Sequence, residues 1–192
     1  QRWWYREHIK IAKRTGKALM IHDREAHADV LRILEEEGPP DRVVFHCFSG
    51  DVAMAKQCAE AGYVMSFAGN VTFANAQPLR DAAAAAPADL ILAETDAPFL
   101  TPVPNRGKPN EPALTADTLR CLAEVKGLDL AGLCDMVTAI AQRTFGRRFK
   151  EEVGLSPGRW LIQQRVDRAR QLLESTDLPV DDFSRKAMDK TL

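Results

Sequence analysis

No apolar run in the 192-residue sequence approaches the ~20 residues that a helical membrane span requires. Residues 1–6 are polar and aromatic, unlike a secretory leader, so the expectation is a cytoplasmic protein with no membrane partner. None of the four cysteines, Cys47, Cys58, Cys121 and Cys134, belongs to a C-x-x-C pair, which argues against a structural zinc site and leaves reduced thiols. Proline and glycine, 11 of each, are too few for a linker or a fibrous chain. What remains is ordinary globular composition, with 45% hydrophobic and 28% charged residues. The length suits about one domain of ~150 residues with a smaller appendage.

The formal net charge of −1 is unevenly placed. Residues 143–192 hold 11 Lys/Arg against 8 Asp/Glu, which leaves 15 against 19 for residues 1–142. The hydrophobic pattern changes at the same point. Before it, apolar runs alternate with helical patterns; after it, the period stays helical to the end.

The alternation begins inside an amphipathic helix, with Trp4, His8 and Ile11 on one face, as expected of a sequence that starts within a longer protein. Gly16 is a natural C-cap for that helix, and residues 17–22 (KALMIH) read as a buried strand. Residues 26–37 read as a helix closed by Gly38-Pro39-Pro40, and residues 42–46 (RVVFH) as a second strand. Residues 52–61 predict a helix, 63–67 a third strand, an alanine-rich stretch before Pro87 a further helix, and 90–93 (LILA) a fourth strand. Strands alternating with helices in this way predict a parallel α/β sheet, because parallel neighbours need helical crossovers. Residues 98–113 form a loop too long and polar for a simple connection, and helices are expected near 115–126 and 130–142.

Three of the four strands end in a group able to bind a metal or move a proton: His22-Asp23-Arg24, His46-Cys47-Phe48 and Glu94-Thr95-Asp96. Parallel α/β enzymes react at the C-terminal edge of the strands, so three such ends predict one site. Imidazole and carboxylate together suit zinc, manganese, nickel or iron, and carboxylate with water suits magnesium, so magnesium, manganese and zinc all stay open.

The stretches IHDREA (21–26), HCFSG (46–50), ETDAPFL (94–100) and RGKPNEPA (106–113) resemble, in this order and spacing, the TatD family of metal-dependent deoxyribonucleases. The resemblance runs through about residue 146. It implies a (β/α)8 TIM-type barrel, of which residues 1–142 would supply the C-terminal half. It further implies one or two divalent metal ions at the mouth and DNA as substrate. His22, His46 and Asp96 would then be metal ligands, with Asp96 also the catalytic proton acceptor. Arg106, Lys108, Asn110 and Glu111 on the long loop would contact substrate, and Glu94 would orient its neighbours. The family's H-x-H pair and bridging glutamate, which belong to its first and fourth strands, have no counterpart here. This chain alone is therefore expected to hydrolyse DNA far more slowly than a complete member. Its four strands should form an open sheet with helices on one face, and its free strand edges should favour self-association.

From residue 143 the sequence RTFGRRFKEEVGLSPGRWLIQQRVDRARQLLESTDLPVDD resembles part of the helix-turn-helix DNA-binding domain of AraC-type regulators. The resemblance implies an all-α segment over 143–192 with DNA as its ligand, contacted by Arg143, Arg147, Arg148 and Lys150. Ser156-Pro157 predicts the start of a single helix over 156–175.

Overall fold

The computed structural model describes residues 1–146 and Gly154. The helix expected over 156–175 and the candidate DNA contacts Arg147, Arg148 and Lys150 lie outside the described residues. The chain divides into two compact units, Gln1–Thr144 and Phe145–Leu192, and the first contains the four described strands and the strand-end groups.

Helix α1 (Arg2–Thr15) leads to β1 (Leu19–His22), α2 (His27–Glu37), β2 (Val43–His46), α3 (Val52–Glu60), β3 (Val64–Phe67), α4 (Gln77–Ala85) and β4 (Ile91–Ala93). Two further helices, α5 (Thr115–Lys126) and α6 (Leu130–Ala141), come after the long loop. The turns between elements obey local chemistry. Gly16 closes α1 at φ 61°, a left-handed conformation that costs glycine least, and its N–H bonds to the carbonyls of Ala12 and Lys13. The Asp51 carboxylate accepts from the amide of Met54 to start α3, and Asp129 caps α6 through the amide of Gly132.

The strands form one parallel sheet in the order β1-β2-β3-β4, so α2, α3 and α4 each connect neighbouring strands. The register pairs Ile21 with Phe45, Phe45 with Met65 and Met65 with Ile91. One residue further along, it pairs His22 with His46 and Ser66 with Leu92. Because side chains alternate across a strand, this register sorts the sheet into two faces.

The outer face carries Leu19, Ile21, Val43, Phe45, Met65, Phe67 and Ile91, all in one core cluster with Ile9 of α1, Ile33 and Leu34 of α2, Met54 of α3, Ala82 of α4 and Leu122 of α5. The inner face carries Met20, His22, Val44, His46, Val64, Ser66 and Leu92. The helix layer expected on one face holds for α1 to α5, and α6 departs from it. Its Leu133 joins the outer cluster, whereas its Ile140 packs with Val44, Val64 and Leu92 of the inner face. The apolar lower half of the inner face thus gains a cover that strand periodicity alone did not indicate.

Among the described residues no helix is long and apolar enough to cross a membrane.

Candidate functional site

The C-terminal edge of the sheet gathers the polar residues of the inner face. His22 and His46 are directly paired across β1 and β2, and their rings lie 5.6 Å apart between centroids. Asp96 lies just beyond β4 and brings its Oδ1 to 3.5 Å from His46 Nε2. The other ring nitrogen, His46 Nδ1, lies 2.7 Å from Glu94 Oε1. Glu94 also accepts from the Cys47 amide at 3.0 Å and from the Ser66 hydroxyl at 2.5 Å. The three strand-end groups read from the sequence therefore belong to one edge, and the structure adds Ser66, a residue with no signal in the sequence beyond one polar position in an apolar strand.

The backbone beyond the strands is strained in the same places. Cys47, at φ 47°, and Asp96, at φ 57°, both adopt the left-handed region that non-glycine residues rarely occupy. The turn after β1 is held by hydrogen bonds of its own, and Ser49 ties the turn after β2 to it. Asp23, only 6% exposed, accepts from the amide of Ala26 and meets His27 Nδ1 at 2.5 Å, while its carbonyl accepts from the Ser49 hydroxyl. Burial, and then the nearby Glu94 and Asp96 carboxylates, push the Cys47 thiol up to about 11, so it is a poor nucleophile near neutral pH.

The loop after β4 is anchored by two of the residues expected to contact substrate, Asn110 and Arg106. Asn110 is 5% exposed, and its side-chain amide donates to the carbonyls of Thr95 and Phe99, both at 2.7 Å, while its oxygen accepts from the Glu111 amide. Both amide protons and the carbonyl oxygen are thus engaged in bracing the turn that carries Asp96, rather than directed at a ligand. Arg106 stacks its guanidinium 3.9 Å from the Phe73 ring centre and donates to the Thr101 carbonyl at 3.5 Å. Lys108 and Glu111 are exposed. Gly69, in the turn after β3, makes the seating of this loop possible, because a Cβ there would meet the Leu100 carbonyl oxygen at 2.0 Å. Arg143 is exposed and donates to the Asp89 carbonyl at 3.3 Å, just before β4.

The donor chemistry of His46 and Asp96 fits a divalent cation. With a proton on Nδ1, the bare Nε2 and the Asp96 carboxylate face each other as two electron-rich groups, an arrangement relieved by a cation between them. The number of donors is short of a full shell. Among the described residues no group of three or more His, Cys, Asp or Glu side chains is placed to hold a metal ion.

A family model described as TatD related DNase matches residues 1–146. The chain belongs to the TatD family. The metal-dependent hydrolase TatD of Mycobacterium tuberculosis is 47% identical over 146 residues, which cover 76% of this chain and 55% of that protein. The metal-dependent hydrolase YcfH of Escherichia coli K12 is 43% identical over 139 residues, covering 72% of this chain and 52% of its own length. The chain thus spans about half the length of the curated relatives it matches. Among solved structures, the TatD homologue YjjV of Escherichia coli aligns with a TM-score of 0.67 at 28% identity, over 71% of this chain and 53% of that one. The four β/α units accordingly have the TIM-barrel hydrolase fold of the TatD family. A helix-turn-helix domain model matches residues 136–187 and overlaps the TatD match over residues 136–146.

Proposed function

We propose that residues 1–142 contribute to a metal-dependent phosphodiesterase site that acts on DNA, with His22, His46 and Asp96 as ligands of a divalent ion. The observation that carries this reading is the opposition of His46 Nε2 and Asp96 Oδ1 at 3.5 Å, on the edge where His22 also ends its strand. Zinc suits this mixture of imidazole and carboxylate, whereas magnesium or manganese would bind chiefly through the carboxylate and water, as one ion or a pair. Such an ion lowers the pKa of a bound water and stabilises charge on phosphate oxygens. The chain's own residues do the positioning. Asp96, held by the turn that Asn110 braces, is the group placed to accept a proton from an attacking water, and Glu94 holds the His46 ring. Lys108 and Arg106, exposed on the neighbouring loop, supply positive charge toward a phosphate, and Glu111 lies beside them. Asn110 acts on substrate only through the turn it braces.

Titration of the full chain with manganese tests the reading. Binding should weaken at least about tenfold in Asp96→Asn and in His22→Ala, and any metal-dependent cleavage of duplex DNA should disappear with it. Binding and cleavage unchanged in both variants would overturn the assignment.

A second reading concerns residues 143–192 and is favoured by the helix-turn-helix match. This segment would bind DNA as AraC-type regulators do, with Arg147, Arg148 and Lys150 at the duplex. Arg143 lies within the first unit, where it donates to the Asp89 carbonyl. Affinity for duplex DNA that falls steeply with added salt, and falls again when the three basic residues are replaced by alanine, is the expected outcome. Affinity unaffected by the replacement would remove this reading.

A further inference from the structure

β3 is the strand without a ligating residue at its end, yet it places one buried polar side chain, Ser66, on the inner face. Its hydroxyl is 2.5 Å from Glu94 Oε2. A carboxylate can only accept, so Ser66 must donate, and the same constraint applies at the other oxygen. Glu94 Oε1 accepts from the Cys47 amide and faces His46 Nδ1 at 2.7 Å. Three donors from two neighbouring strands and the turn after β2 therefore converge on the two oxygens of one half-buried carboxylate.

We infer that Ser66 and Glu94 are positioning residues that fix His46 in the tautomer carrying its proton on Nδ1, so that bare Nε2 is the nitrogen presented to Asp96 and the open edge of the sheet. A neutral imidazole has one ring proton, and an acceptor-only partner at 2.7 Å assigns it to Nδ1. Ser66 matters because it holds Glu94. Without its hydroxyl, Oε2 loses that donor, and the carboxylate is free to turn away from the ring. The assignment of the proton rests on these contacts alone. Its value for metal binding rests on the reading of His46 and Asp96 as ligands, since a ligating histidine offers a lone pair from one nitrogen while the other is held by an acceptor.

Two-bond proton–nitrogen NMR of the full chain, labelled at histidine nitrogen and recorded at mildly alkaline pH, reads the tautomer directly. The His46 signal is assigned by its loss in His46→Gln. The wild type should show Nδ1 protonated. Glu94→Gln, which keeps an oxygen acceptor, should preserve that pattern. Glu94→Leu should shift the ring toward protonated Nε2, and Ser66→Ala should give a mixture. Zinc titration of the same proteins should show affinity reduced by about 10- to 100-fold in Glu94→Leu and by less in Ser66→Ala. A wild-type ring protonated at Nε2, or a tautomer unchanged in both Glu94→Leu and Ser66→Ala, would overturn the inference. If Glu94→Leu does not fold, the wild-type tautomer and Ser66→Ala still decide it. If the tautomers behave as stated while zinc affinity is unchanged in every variant and in Asp96→Asn, the positioning role stands and the metal-site reading fails.

Discussion

The two faces of the sheet are made by the same four strands, residue by alternate residue, and they have opposite characters. On the outer face Phe45, Phe67, Met65 and Ile91 are at most 1% exposed and lie under a layer of helices. On the inner face Met20 is 54% exposed, Val44, Val64 and Leu92 form a small cluster with Ile140, and the upper positions are His22, His46 and Ser66. β-propensity does not separate these sets. The difference comes from what lies above each face, since helices on one side remove apolar surface from water while the rim of the other keeps polar groups near solvent. Stability and chemistry are therefore divided between odd and even positions of the same short strands.

The largest test of that division is Phe45→Ala. Phe45 packs against Phe48 and Tyr63, with ring centres 6.5 and 6.0 Å away, and truncation should cost about 3–5 kcal/mol in urea unfolding. A cost below about 1 kcal/mol would mean that the outer face is not the main core. Ile140→Ala should cost about 2 kcal/mol, the low end for such a truncation, because its cluster is small, with Val44, Val64 and Leu92 as the other buried members. A loss equal to that of Phe45→Ala would make the inner cluster a core in its own right.

A smaller effect separates the outer layer from solvent by pH. Burial, and after it the nearby Asp23 carboxylate, pushes the Cys58 thiol up to about 12, against about 8.5 for an unfolded cysteine. The folded state thus retains a proton that the unfolded chain gives up. The stability from this group is complete below about pH 8.5 and is lost as pH rises toward about 12. Urea unfolding across that range should show a shallower alkaline decline in Cys58→Ala than in the wild type. An identical decline would show that the thiol is not shielded. The smallest change should come from Met20→Ala, within about 0.5 kcal/mol, because the side chain is largely in water already. A cost above about 1.5 kcal/mol would reveal a cover over the inner face.

The order of elements and the ends of the strands are legible in the amino-acid sequence. Short continuous apolar runs and helical stripes are local patterns, and the strands close at His22, His46, Phe67 and Ala93, where those runs end. The order of elements also brings His22, His46 and Asp96 to one edge, because a parallel sheet with helical crossovers sends every strand end the same way. Tertiary structure decided which neighbours those groups meet. Glu94 reaches the Cys47 amide across 47 positions in the chain and Ser66 across 28, and no periodicity encodes such a pairing. It also turned Asn110 from a substrate contact into a buried brace and carried Ile140 to the inner face. These outcomes depend on side chains from distant segments competing for the same few donors, acceptors and apolar surfaces, and that competition exists only once the sheet has assembled.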